Sequence, residues 1–139
     1  MATTVYVCST EKMIDHKPDS FLQGISTNIN HLCESDQEIS VKKETGEWTL
    51  IHMKEAFRQG VFESAYEMKL LTKKWGFDCT KIICPVEVWH GTEDTLAHIG
   101  EIKKLVNILP NCKPNYVTGK GHFLDDDPEI WKQILKSLI

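Results

Sequence analysis

Residues 83–123 read ICPVEVWHGTEDTLAHIGEIKKLVNILPNCKPNYVTGKGHF, and this stretch decides the fold. Ile82 to Trp89 is an apolar run interrupted only by Pro85 and Glu87, which reads as a buried strand that Pro85 opens. Leu96, Ile99, Ile102, Leu105, Val106 and Leu109 then recur at helical spacing and stop before Pro110. Asn115 to Thr118 is a short second strand. Beyond it, Asp127 suits a helix N-cap and Pro128 the first helical position, with Ile130, Trp131, Ile134, Leu135 and Leu138 on the buried face. Strand, helix, strand, helix predicts a parallel sheet with helices on its faces, an α/β arrangement over residues 82–139.

Such sheets place their sites at the carboxyl ends of the strands. Two residues that fall there suit a triad. Asp94 follows the first strand in the turn Gly91-Thr92-Glu93-Asp94, and His122 follows the second in Gly119-Lys120-Gly121-His122-Phe123. Asp is common in turns and caps, so Asp94 alone is a weak signal. A His on a glycine loop after a buried strand is poorly explained by core packing. Together they fit two members of a nucleophilic triad: the carboxylate fixes the imidazole tautomer, and the far ring nitrogen takes a proton.

A nucleophile in a G-x-S-x-G turn would complete that set. The serines stand at 9, 20, 26, 35, 40, 64 and 137, and none has that setting. Cys8 or Ser9, after a short strand expected at Thr3–Cys8, is the nearest imitation, but it lacks flanking glycines. A metal reading would use His90, Glu93, Asp94 and His98, but a strand end and a helix start do not imply convergence on one ion. Asp125-Asp126-Asp127 lacks the spaced ligands and glycine of a calcium loop and reads as helix capping. No metal or other cofactor is expected.

Upstream, residues 1–47 read as an irregular N-terminal segment, with Pro18 and Gly24 as breakers. Residues 48–81 read as a helical pair: Leu50, Met53 and Phe57 up to Gly60, then Val61, Ala65, Met68 and Trp75 up to Gly76. Phe62, Met68 and Trp75 could line a pocket, although that spacing more often means packing.

The bulk numbers fit an ordinary globular chain of 139 residues, 41% apolar and 26% charged. A net charge of -4 with no basic stripe argues against nucleic acid. No apolar stretch approaches the about 20 residues a membrane helix needs. Five cysteines, none in a C-x-x-C pair, point to free thiols in a reducing compartment, so the expected location is cytoplasmic.

From about His31 to Ile139 the chain resembles the C-terminal half of an α/β-hydrolase. The likeness is carried by EAFRQGVFESAYEMKLLTKKWGFD (Glu55–Asp78), by ICPVEVWHGTEDTLAH (Ile83–His98) and by LPNCKPNYVTGKGHF (Leu109–Phe123), which resemble the lid, the acid turn and the histidine loop. The resemblance implies that Asp94 is the triad acid and His122 the base, and that residues 48–81 belong to a lid, with residues 1–47 a candidate partial lid. It also implies a small-molecule substrate, and hydrolysis of an ester, amide or related bond through a covalent intermediate. The family's first strands, oxyanion loop and nucleophile elbow have no counterpart here. Two expectations follow: a truncated hydrolase completed by a missing N-terminal half or by self-association, or a non-catalytic remnant of the fold kept for binding.

Overall fold

The computed structural model describes the backbone of residues 2–138 and the side chains of residues 9–138. It divides into two compact units: residues 1–28 with 40–75, and residues 29–39 with 76–139.

Every described element of the first unit is a helix. These are α1 (Ala2–His16), α2 (Pro18–Thr27), α4 (Lys43–Ala56) and α5 (Val61–Leu71). The irregular segment and the strand expected at Thr3–Cys8 are therefore corrected. A β-branched run is held as a strand only by a neighbouring strand, and this unit offers none among its described residues. Cys8 and Ser9 lie inside α1, so neither stands on a strand-to-helix turn, and the Cys8 side chain is outside the described residues. Pro18 opens α2 at a position where its missing N–H costs nothing. Gly60 has a positive φ, +97°, but with ψ -176° it stands just before α5, while α4 already ends at Ala56. Gly76 does not end α5, which stops at Leu71, so Trp75 lies beyond the helix. Ile14 is buried, whereas Phe62, Met68 and Trp75 are exposed.

The second unit holds α3 (Glu34–Ser40), β1 (Val86–Gly91), α6 (Ile99–Ile108), β2 (Cys112–Val117) and α7 (Pro128–Ser137). β1 and β2 pair in parallel, with Glu87 opposite Lys113 and Gly91 opposite Val117, and α6 is the crossover that packs on both. The fold of this unit is mixed α/β. Glu87, which interrupts the apolar run of β1, accepts from Lys113 Nζ at 2.7 Å and from Asn115 Nδ2 at 3.2 Å. These cross-strand contacts hold the register, and the Lys113 ammonium in particular keeps the Glu87 carboxyl below its ordinary range.

Asp127 caps α7 as its sequence foretells, accepting from the N–H groups of Glu129 and Ile130, with Pro128 next. The buried face expected on α7 is only partly realised. Ile130 is buried, but Trp131 and Leu135 are each 45% exposed and Leu138 is 74% exposed. A two-stranded sheet is too narrow to cover the apolar stripe of a ten-residue helix.

The two outer edges of the sheet differ. The Val86 N–H donates to Asn111, before β2, so alternation turns the nitrogen of Pro114 away from β1. Pro114 therefore removes a donor from the outer edge of β2. β1 has no second strand neighbour among the described residues, and no proline falls between Val86 and Gly91.

Candidate functional site

The site forms where the two strands end. The turn after β1 and the loop after β2 are stitched together by main-chain bonds. The Thr92 N–H donates to Val117 at 3.0 Å and the Glu93 N–H to Lys120 at 2.9 Å, while Thr92 Oγ1 accepts from the Gly119 N–H at 3.0 Å. Gly119 takes φ +73°, a left-handed turn that glycine enters without strain. Gly91 is needed for a different reason: a Cβ there would collide with the carbonyls of Lys120 and Gly121.

This stitching aims Asp94. Its Oδ1 accepts from the N–H groups of Leu96 and Ala97, both at 2.8 Å, which locks the carboxylate plane over the turn. Its Oδ2 is thereby directed at His122, whose Nδ1 lies 2.9 Å away. The Asp94 side chain is 2% exposed, and that of His122 45%. Burial pushes the Asp94 carboxyl up. The Ala97 N–H, the His122 imidazole and the Leu96 N–H more than offset it, so Asp94 stays below its ordinary range and is ionised near neutral pH.

With Asp94 as acceptor, Nδ1 carries the proton and Nε2 presents a lone pair, the tautomer a general base requires. The ring is further held edge-on by Phe123, with centroids 5.6 Å apart at 81°. No family model matches the chain, and neither a curated protein nor a solved structure does.

The two residues singled out from the sequence are thus brought into hydrogen-bond contact. The other proposed ligands of that region are not gathered around one point. His98 turns its Nδ1 onto the Gly100 N–H at 3.1 Å and caps α6. Of Asp125-Asp126-Asp127, Asp127 caps α7 and pairs with Lys120 Nζ at 2.8 Å, tying the histidine loop to that helix. The Lys120 ammonium, burial and the cap donors together leave Asp127 below its ordinary range, and Asp127 raises Lys120 in turn.

Three further residues surround the pair: His90, weighed in the sequence only as a metal ligand, and Ser35 and Asp36, which carry no signal there. His90 is buried at the end of β1, with Nε2 3.7 Å from Asp94 Oδ2 and no hydrogen-bond partner at that nitrogen. Ser35 and Asp36, on α3, receive the backbone of the histidine loop. Their separation from His122, 86 residues for Asp36, hides them from any local pattern.

Proposed function

We propose that this chain is the acid–base half of a triad hydrolase of the α/β-hydrolase kind, acting on an ester, amide or related bond of a small molecule. The observation that carries the reading is the 2.9 Å contact between His122 Nδ1 and an Asp94 carboxylate whose other oxygen is already locked. In this role His122 Nε2 takes the proton of an attacking hydroxyl while that oxygen bonds to the substrate carbonyl carbon. Asp94 stays ionised beside the imidazolium. The same proton then passes to the leaving group as the substrate bond breaks, and water repeats the cycle to free the acyl enzyme. Were the nucleophile a carboxylate, His122 would instead activate the water of the second step.

On this reading the nucleophile is supplied by further polypeptide, since these 139 residues hold neither a G-x-S-x-G serine nor another nucleophile on such a glycine-lined turn. The added strands would extend the sheet from β1. That edge keeps its donors, whereas Pro114 interrupts the edge of β2. The half-exposed apolar residues of α7, Trp131 and Leu135, are consistent with a wider sheet in the completed protein. On this reading residues 48–81 belong to the lid of the fold. The missing nucleophile equally favours a second reading, a non-catalytic remnant retained for binding.

The test is to isolate the chain with the proteins it retains from its native cell and add a fluorophosphonate probe and a panel of activated esters. Labelling of a serine, or ester turnover, that disappears with His122→Ala supports the hydrolase. Neither labelling nor turnover, in the chain alone or with its neighbours, leaves the binding reading.

A further inference from the structure

The loop that carries His122 presents three successive N–H groups to one short segment. The N–H of Gly121 donates to Ser35 Oγ at 3.1 Å, that of His122 to Asp36 Oδ2 at 2.7 Å, and that of Phe123 to Asp36 Oδ1 at 3.2 Å. Consecutive N–H groups that converge in a turn make a concavity suited to an anion. Here the anion is built in, as a carboxylate 1% exposed. We propose that Asp36, assisted by Ser35, is a positioning residue that sets the orientation of the His122 imidazole toward Asp94.

Three observations favour this role over a general tie between two segments. Both carboxylate oxygens are used, one on the N–H of His122 itself and one on its neighbour, so the peptide planes on either side of the His122 Cα are fixed. A carboxylate accepts at both oxygens, whereas an amide would turn an NH2 toward one of the two donors. The loop is also pressed close: a Cβ on Gly121 would strike Asp36 Oδ2 and Cys33 Sγ. The supporting segment is itself held. Leu32 and Ile39 are buried, Gln37 Nε2 donates to the Leu32 carbonyl at 2.8 Å, and the Gln37 N–H donates to the Cys33 carbonyl at 3.0 Å.

A buried carboxylate is costly unless its oxygens are satisfied, and an apolar residue could tie two segments together without that cost. Here the carboxylate dictates backbone geometry at one residue, and that residue is His122. The catalytic meaning of this brace rests on the hydrolase reading; the orientation of the ring does not.

The experiment therefore reads the ring and not turnover. In the full chain, the hydrogen-bonded Nδ1 proton of His122 is followed by 1H–15N NMR, and the Asp94 carboxyl carbon is titrated. Asp94→Asn supplies the reference for a lost contact, and thermal denaturation monitors the fold. Asp36→Asn and Asp36→Ala are expected to remove or broaden the Nδ1 proton signal and to raise the Asp94 midpoint toward the ordinary value of about 4. Ser35→Ala, which removes one of the three acceptors, is expected to weaken the signal, and it decides the question if the Asp36 variants do not fold. The proposal is overturned if the folded variants keep the wild-type Nδ1 signal and Asp94 midpoint, whatever their melting temperature. It is overturned equally if the wild-type chain has no such signal. A negative probe-labelling result, by contrast, leaves the ring measurement unaffected.

Discussion

His122 Nδ1 lies 2.9 Å from Oδ2 of Asp94, while Oδ1 of the same carboxylate is held by the N–H groups of Leu96 and Ala97. The Asp94 carboxylate is thus held by its own turn at one oxygen and meets His122 with the other. Its direction comes from residues 96 and 97, and its partner from a loop on the adjacent strand.

Asp94→Asn removes a charged acceptor from two N–H groups and one imidazole. Hydrogen bonds to charged groups are worth about 1.5–3 kcal/mol each, though losses within one network do not add. A destabilisation of about 2–3 kcal/mol is expected in urea unfolding. If the completed protein hydrolyses esters, turnover should fall by about 10⁴, as it does when a triad acid becomes an amide and the wrong tautomer is held.

Glycine replacements separate close approach from empty space. Gly91→Ala drives a methyl into the Lys120 and Gly121 carbonyls and should cost about 1–3 kcal/mol. Gly24→Ala, inside α2 with nothing near its Cβ, should stabilise by about 0.5–1 kcal/mol. Chemical denaturation of the two variants gives shifts of opposite sign.

Acid stability follows from the lowered carboxyls. Asp94, Asp127 and Glu87 all titrate lower in the folded chain than in the unfolded one. Their contribution is complete above the ordinary values, 3.8 for the two aspartates and 4.5 for Glu87, and is lost as pH falls through the lower folded values. The melting temperature should hold between pH 5 and 7 on the scale of ordinary carboxyls, then drop below about pH 4, less steeply in Asp94→Asn. Lys120 has the opposite sign. Its raised folded value makes its contribution present below its ordinary 10.5 and lost as pH rises beyond that.

Asp127 has two jobs that can be separated. Asp127→Ala removes the cap of α7 and the Lys120 ion pair, and should cost about 1–2 kcal/mol. Asp127→Asn keeps a capping oxygen and loses mainly the ion pair. With the Lys120 side chain 38% exposed, that loss should be only a few tenths of a kcal/mol. Equal melting temperatures for the two variants would contradict this division.

The legible parts of the chain are those whose causes are local. Pro85 before β1, Pro110 after α6 and the Asp127-Pro128 pair before α7 are boundary signals written in adjacent residues, and the elements begin or end beside them. The meeting of Asp94 and His122 is legible because each stands in the loop after a strand of one βαβ unit. At Thr3–Cys8 a weak strand preference met a unit made of helices, and context prevailed. Trp75 fits the period of α5 but lies past Leu71, since periodicity marks a face and not an end. Ser35-Asp36 looks like any solvated polar pair until the loop 86 residues later is folded against it.

That separation has a kinetic side. Closing the 28-residue loop between Asp94 and His122 costs about 1 kcal/mol less chain entropy than closing the 86-residue loop between Asp36 and His122. The βαβ unit and its acid–base contact are therefore expected to assemble early, and the clasp from α3 to come late. Detachment of residues 29–39 would slacken the histidine loop while β1 and β2 stay paired. Hydrogen exchange at the amides of Gly121, His122 and Phe123 should then run ahead of exchange in the strands.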